Sequence, residues 1–448
     1  MRARPDRRAR RRRAAAWGRA FGLGAVVLTL AASAPAQVTP AVDHDGGATL
    51  EELLRSPSAE PVDAAALAVL LLEASPAEVD RWLDGLDAAL EASRHAPLER
   101  RALERLEVEV RQVPELVETM LAEPELSVEA RAHALTIALE VLERTRRPSS
   151  FRRLMGIVPR AGQLPPASAA APAEALRSCL GALSSLRLHS QPQLEHLYRT
   201  APAALTVAVV DGVARGTDPE FAARSLARLL EVLPDHDPAV LNRLHLVLNR
   251  QPPGPAPGIA DRVAPYLEDP RPFARHQAAA CLGRTGRREH VEALIGGLSD
   301  PEVVVRSATR DALGQLTGMS LPADADRWRG WLAGQLAWWE EDGADRLHDL
   351  GHAARSEQLT ILREVCDKRL FHEEIAVALR PLLESVDEEE QRLALSALGT
   401  LRSPTALDMV RAFEDHPEPR VREAARAALR SYRQARACLQ QRPALAGR

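Results

Sequence analysis

His348 and His352 lie four apart in the run Asp345-Arg346-Leu347-His348-Asp349-Leu350-Gly351-His352. On a helix this spacing puts both imidazoles on one face with Asp345 a turn earlier, a geometry in which a transition metal could find three ligands. The run lacks the inner glutamate of H-E-x-x-H, and Gly351 softens a helix at that point, so two solvated histidines are the competing reading. Four of the six tryptophans, Trp328, Trp331, Trp338 and Trp339, fall within twelve residues and share one helical face. They could form an aromatic platform for a ligand, a glycan or a partner's apolar side chain, or an atypical helix whose rings fill a groove beside its neighbours. Arg275, Arg306 and Arg422 could bind an anion as a ladder or pair with an aspartate of a neighbouring loop, such as Asp269 or Asp300. No Gly-x-Ser-x-Gly elbow, Walker loop, Rossmann glycine pattern or Cys–His signature is present, so no catalytic residue and no cofactor is assigned.

The elements that must position these residues are helical. Aromatic residues make up 3% of the 448, and hydrophobic residues 46%. A core so poor in rings is built from Leu, Ala and Val, which suits close-packed helices better than a β-sandwich. From Thr49 to Asn249 one helical pattern follows another. Ser75-Pro76-Ala77-Glu78 has the form of an N-cap, an N1 proline and an acidic first turn. Residues 159–172 (PRAGQLPPASAAAP) read as a linker, and residues 251–258 (QPPGPAPG) read as a second one and the main internal boundary. The four cysteines, Cys179, Cys281, Cys366 and Cys438, are far apart and each falls within a helical pattern. No C-x-x-C exists; four small buried apolar residues is the reading that fits them best, with a disulfide of unassigned pairing in an oxidising compartment as the alternative.

Beyond residue 258 the chain repeats. Asp269-Pro270 opens a unit with Ala278, Leu282 and Gly283. Asp300-Pro301, 31 residues on, opens another with Arg306, Ala312, Leu313 and Gly314. A shift of 116 carries this pair onto Ala394, Leu398 and Gly399, and onto His416-Pro417, Val421-Arg422 and Ala428-Leu429. Period 31 with two helical patterns per unit is the mark of an α-solenoid. Alanines are expected where a neighbouring helix comes close and leucines where a gap is filled. Gly283, Gly314 and Gly399 are expected where the helix ends and turns, and Asp269 and Asp300 are expected as N-caps.

The run from Asp300 to Gly314 (DPEVVVRSATRDALG) resembles the HEAT repeats, in particular the short bilin-lyase-like variety, whose pattern is roughly D-P-x-x-x-V-R-x-x-A-x-x-A-L-G. The resemblance covers Asp269–Gly318 and Asp387–Tyr432. Arg430 stands in place of the last glycine, and Arg392 lies one place off the expected arginine. The resemblance implies a stacked helical scaffold that in most members binds rather than catalyses, with a lyase-like enzyme accessory as the analogy-based alternative. The structural repeat positions are thus Asp269, Arg275, Leu282, Gly283, Asp300, Arg306, Leu313, Gly314, Leu398, Gly399, Arg422 and Leu429.

Nine arginines crowd the first nineteen residues, an apolar run follows from Ala20 to Ala32, and Ala34-Pro35-Ala36 has the form of a small-residue cleavage site. This order predicts an export signal over residues 1–36, by the general or the twin-arginine route, cleaved after Ala36. Some 13 apolar residues are too few to cross a bilayer, which takes about 20. The whole chain has net charge −4; without nine arginines and Asp6 it is −12. A general nucleic-acid binder is therefore not expected, and partners should be basic or neutral with a salt-sensitive on-rate. The expected organisation is a signal at 1–36, a lead-in at 37–48, a degenerate solenoid at 49–250 and a linker at 251–258. HEAT-like repeats follow at 259–318, a Trp-rich segment at 319–355, further repeats at 356–434 and a tail at 435–448. The expected function is an exported, non-catalytic scaffold holding a protein partner, in the periplasm or secreted. Ligand or cofactor binding at the Trp-rich helix is the alternative.

Overall fold

In a computed structural model, the described residues are 50–441 apart from 56–61, 63, 124–125, 233–237, 252–253, 255 and 351. The expected signal, lead-in and residues 442–448 lie outside them, as does the Cys438 side chain. The described residues are helical with no strand, and the fold is an α-solenoid of stacked helices. Local chemistry starts many of these helices. Ser75 and Glu78 exchange bonds in a capping box, Ser75 N donating to Glu78 Oε2 at 2.9 Å and Glu78 N to Ser75 Oγ at 3.3 Å. Ser127, Asp324 and Asp387 cap three more helix starts.

The chain divides into two compact units, residues 1–225 and 226–448. In the first, α1 (Val128–Thr145) packs on α2 (Pro166–Ser185), which packs on α3 (Ala203–Arg215), each skipping a shorter helix between. The middle of α1 is buried on nearly all sides by Leu135, Ile137, Ala138, Leu139, Val141 and Leu142, as a helix flanked by neighbours must be. The expected linker over 159–172 is corrected here: α2 begins at Pro166 and passes through Pro172. Pro166 sits in the first turn, where a proline is free of penalty, and the alanines beside Pro172 favour helix enough to carry it.

In the second unit, α4 (Pro238–Leu248), α5 (Pro272–Thr285) and α6 (Val303–Thr317) stack in the same alternate fashion. Then come α7 (Ala325–Trp338), a π-helical turn over Trp339–Gly343 and the short α8 (Ala344–Asp349). Repeat geometry resumes with α9 (Glu388–Leu401) packed on α10 (Pro419–Gln441). The last helix therefore runs into the expected tail, as far as Gln441. Within the expected linker at 251–258, Gly254 N donates to Arg284 O at 3.0 Å and Ala256 N to Thr285 O at 2.9 Å, tying that segment to the end of α5. Cys179 and Cys281 are buried and Cys366 is half-buried; none is in a disulfide.

Two expectations about the repeat are corrected. Gly283, Gly314 and Gly399 do not end their helices but lie inside α5, α6 and α9. A methyl at Gly283 would sit 2.8 Å from Ala312 Cα, and one at Gly399 would sit 2.9 Å from Ala428 Cα. Both glycines let the next stacked helix touch backbone, and both pairs are related by the same shift of 116. Asp269 and Asp300 are not N-caps either: α5 and α6 begin after Arg271 and Glu302. Each aspartate instead closes a turn, Asp269 Oδ1 accepting from Arg271 N at 2.8 Å and Asp300 Oδ1 from Glu302 N at 2.9 Å.

Candidate interaction surface

An Asp-Pro or His-Pro step cannot continue a helix, so its carbonyls need donors from elsewhere. The repeat arginines supply them. Arg275 Nη1 donates to Asp269 O at 2.8 Å and Pro270 O at 3.1 Å. Arg306 Nη1 donates to Asp300 O at 2.7 Å and Pro301 O at 2.9 Å. Arg422 Nη1 donates to His416 O at 2.6 Å and Pro417 O at 3.2 Å. In the remaining unit the equivalent position is Gln391, not Arg392, and Gln391 Nε2 reaches Ser385 O at 2.8 Å. The arginines are thus clamps on the loops that precede their own helices. Arg275 also grips the next loop, with Nε to Asp300 Oδ2 at 2.6 Å and Nη2 to Asp300 Oδ1 at 3.0 Å. This guanidinium holds the Asp300 carboxyl below the usual carboxylate range. Leu282, Leu313, Leu398 and Leu429, two turns further along the same helices, are buried.

The tryptophans do not share one environment. Trp328 is wholly buried and donates Nε1 to Pro322 O at 3.0 Å; Trp338 is buried and donates Nε1 to Glu364 Oε1 at 2.6 Å. Trp331 is half-buried, edge-on to Trp328 with ring centroids 5.7 Å apart. Trp339, also half-buried, stacks on the buried Phe371 at 4.3 Å. The Arg288 guanidinium lies over both of those rings, 5.3 Å from Phe371 and 6.0 Å from Trp339, and pairs with Glu374. Trp338 and Trp339 meet each other, with centroids 6.2 Å apart, and both lie against Phe371. With rings stacked and both buried indole N–H groups donating to the protein, these residues join α7 to the elements around it. His348 and His352 are exposed, with ring centroids 5.6 Å apart and edge-on. No group of three metal-ligating side chains occurs among the described residues.

What faces solvent was missed by sequence reasoning. Phe273, Val303 and Val304 are 49%, 66% and 59% exposed. They occupy the first turns of the stacked helices α5 and α6, and Phe273 and Val304 are 31 residues apart, the repeat period. The available signal was an apolar residue just after each Asp-Pro step, outside the buried stripe of its helix. A second missed feature is in the first unit, where Gly181 and Gly212 are also 31 apart. A methyl at Gly212 would meet Leu180 Cβ at 2.5 Å, across the α2–α3 contact. No helix among the described residues is long and apolar enough to cross a membrane.

Residues 376–440 match the family model for HEAT repeats. A search of curated protein sequences finds no significant match. Among solved structures, human deoxyhypusine hydroxylase in complex with glycerol is similar at 20% identity, over 73% of this chain and 98% of that one, with a TM-score of 0.22. An engineered protein is similar at 15% identity, over 86% and 98%, with a TM-score of 0.23. A Kap121p mutant is similar at 11% identity, over 87% of this chain and 50% of that one, with a TM-score of 0.21. At these scores no activity or partner carries over. The matched segment, residues 376–440, contains the Gln391 and Arg422 clamps and the Gly399–Ala428 seat, the last repeated 116 residues earlier at Gly283–Ala312, so this part of the chain is built of HEAT repeats.

Proposed function

We propose that this chain is an exported HEAT-repeat scaffold that binds a protein partner and carries out no chemistry of its own. The observation that carries the reading is the apolar edge formed by Phe273, Val303 and Val304. Three large apolar side chains about half exposed or more, on the first turns of two stacked helices, are the kind of exposed apolar surface that marks an interaction site. A stack of helices offers such an edge as a rigid platform without any need for a catalytic group. Export is supported by the basic and apolar leader and by Ala34-Pro35-Ala36.

A photo-crosslinking amino acid placed at Phe273 or Val304 in living cells tests the binding half. The expected result is one discrete adduct from either position and none from the exposed Arg310. Equal labelling from all three positions, or from none, contradicts it. N-terminal sequencing of the protein recovered from the cell envelope tests the other half: a start at Gln37 is expected, and an intact Met1 form confined to the cytosol contradicts it.

A further inference from the structure

The outer face of α10 differs in kind from the faces inside the stack. Shifted by 31, Leu395, Gly399 and Arg402 of α9 become Arg426, Arg430 and Arg433 of α10. Leu395 and Gly399 are buried, whereas all three arginines of α10 are exposed. A face on which no further described helix stacks is kept soluble by polar residues, and uncharged ones would satisfy that need. Here instead are three guanidinium groups at i, i+4 and i+7. Arg426 is 3.5 Å from Asp415, which is 94% exposed, and Arg433 is 3.7 Å from Glu414, contacts of a kind worth little. Arg430 has no acidic partner among the described residues.

The same unit carries the complement. Glu341, Asp345 and Asp349 run at i, i+4 and i+8 along the π turn and α8, with Glu340 and Asp342 beside them. All five carboxylates are exposed, and none makes an ion pair among the described residues. Like charges one turn apart repel within each stripe, so each is relieved by a surface of opposite sign. At about 1.5 Å per residue the two stripes span roughly 10 Å and 12 Å, matched in length.

We propose that the Arg426–Arg430–Arg433 face of one copy docks on the Glu341–Asp345–Asp349 stripe of a second copy. A nucleic acid is the less fitting occupant: the chain is acidic overall, with net charge −4, and the cationic face is confined to one helix. This contact is independent of the apolar edge at Phe273.

Sedimentation velocity on the full chain tests it at low salt (about 20 mM, Debye length roughly 20 Å) and at high salt (about 500 mM, roughly 4 Å). Concentration-dependent association at low salt and a monomer at high salt are expected. Arg426→Glu with Arg430→Glu should be monomeric at low salt, as should Glu341→Arg with Asp345→Arg. Mixing these two charge-reversed variants one to one should restore association, which a misfolded variant could not do. A monomer at every concentration in low salt overturns the proposal, as does association unchanged by either double substitution or a mixture that stays monomeric. Polyuridylate that associates with the wild-type chain but not with the arginine variant, while the protein alone stays monomeric, overturns it in favour of a nucleic-acid face.

Discussion

The clamped helix pairs and the tryptophan-rich insertion between them solve one packing problem with opposite materials. In the pairs α5–α6 and α9–α10, neighbouring helices close to backbone contact through Gly283 on Ala312 and Gly399 on Ala428. In the insertion, the packing is made by the rings of Trp328, Trp338 and the Trp339–Phe371 stack. The glycines of α7, Gly330 and Gly334, touch nothing within 4 Å of where a side chain would begin. Gly283 and Gly399 are therefore contacts between stacked helices, whereas Gly330 and Gly334 on α7 are only absences. Where the small-residue seat recurs the chain can be read by its period; where rings replace it, the period breaks.

The largest expected effect tests the insertion. Trp328→Ala removes a wholly buried ring and should cost about 3–5 kcal/mol in urea unfolding; a loss of under about 1 kcal/mol would make the ring a surface feature. Next is the repeat itself. Leu313→Ala, at a fully buried position, should cost about 2–5 kcal/mol, while the exposed Glu302→Ala should stay within about 0.5 kcal/mol. Equal small losses would remove the packing role assigned to the leucine.

An acid limb to the stability profile should come from the stacked helices as well. His245, on α4, is pushed down from 6.5 to about 4 by burial and then by the nearby His276 and Arg284 charges. The unfolded chain binds this proton more tightly than the folded one, so the neutral imidazole's contribution is complete above pH 6.5. It is lost as pH falls towards 4, amounting to about 3 kcal/mol at most. His245→Gln should flatten stability against pH in that window; an unchanged slope would assign the acid limb to other groups.

How much of this was legible in the sequence depended on how far apart the cooperating residues lie. The clamp was half legible: the arginines and the Asp-Pro steps are visible together, and the Arg275–Asp300 pairing was among the alternatives. That each arginine turns back on carbonyls five and six residues earlier was not, because carbonyls carry no letter. Gly283 and Gly399 were read as turn glycines, since the reason for them is an alanine 29 residues further on. The departure at Arg430 follows from the same cause, because no further helix among the described residues stacks on that face of α10 and a large side chain stands there exposed. The tryptophan spacing gave no sign of which rings are buried, because Phe371 and Glu364, which hold Trp339 and Trp338, lie more than twenty residues further on. Phe273 and Val304 were passed over because the buried stripe of a helix is easier to see than an apolar residue outside it.

The smallest effects separate the two regions most directly. Gly399→Ala would press a methyl to 2.9 Å from Ala428 Cα and should destabilise by about 1–3 kcal/mol, as overpacking does. Gly330→Ala meets open space and should stabilise by up to about 1 kcal/mol, because alanine is the better helix former. Urea unfolding of these two variants beside the wild-type chain is the decisive measurement. Shifts of opposite sign are the predicted result, and shifts of the same sign would contradict the claim that repeat glycines seat the next helix.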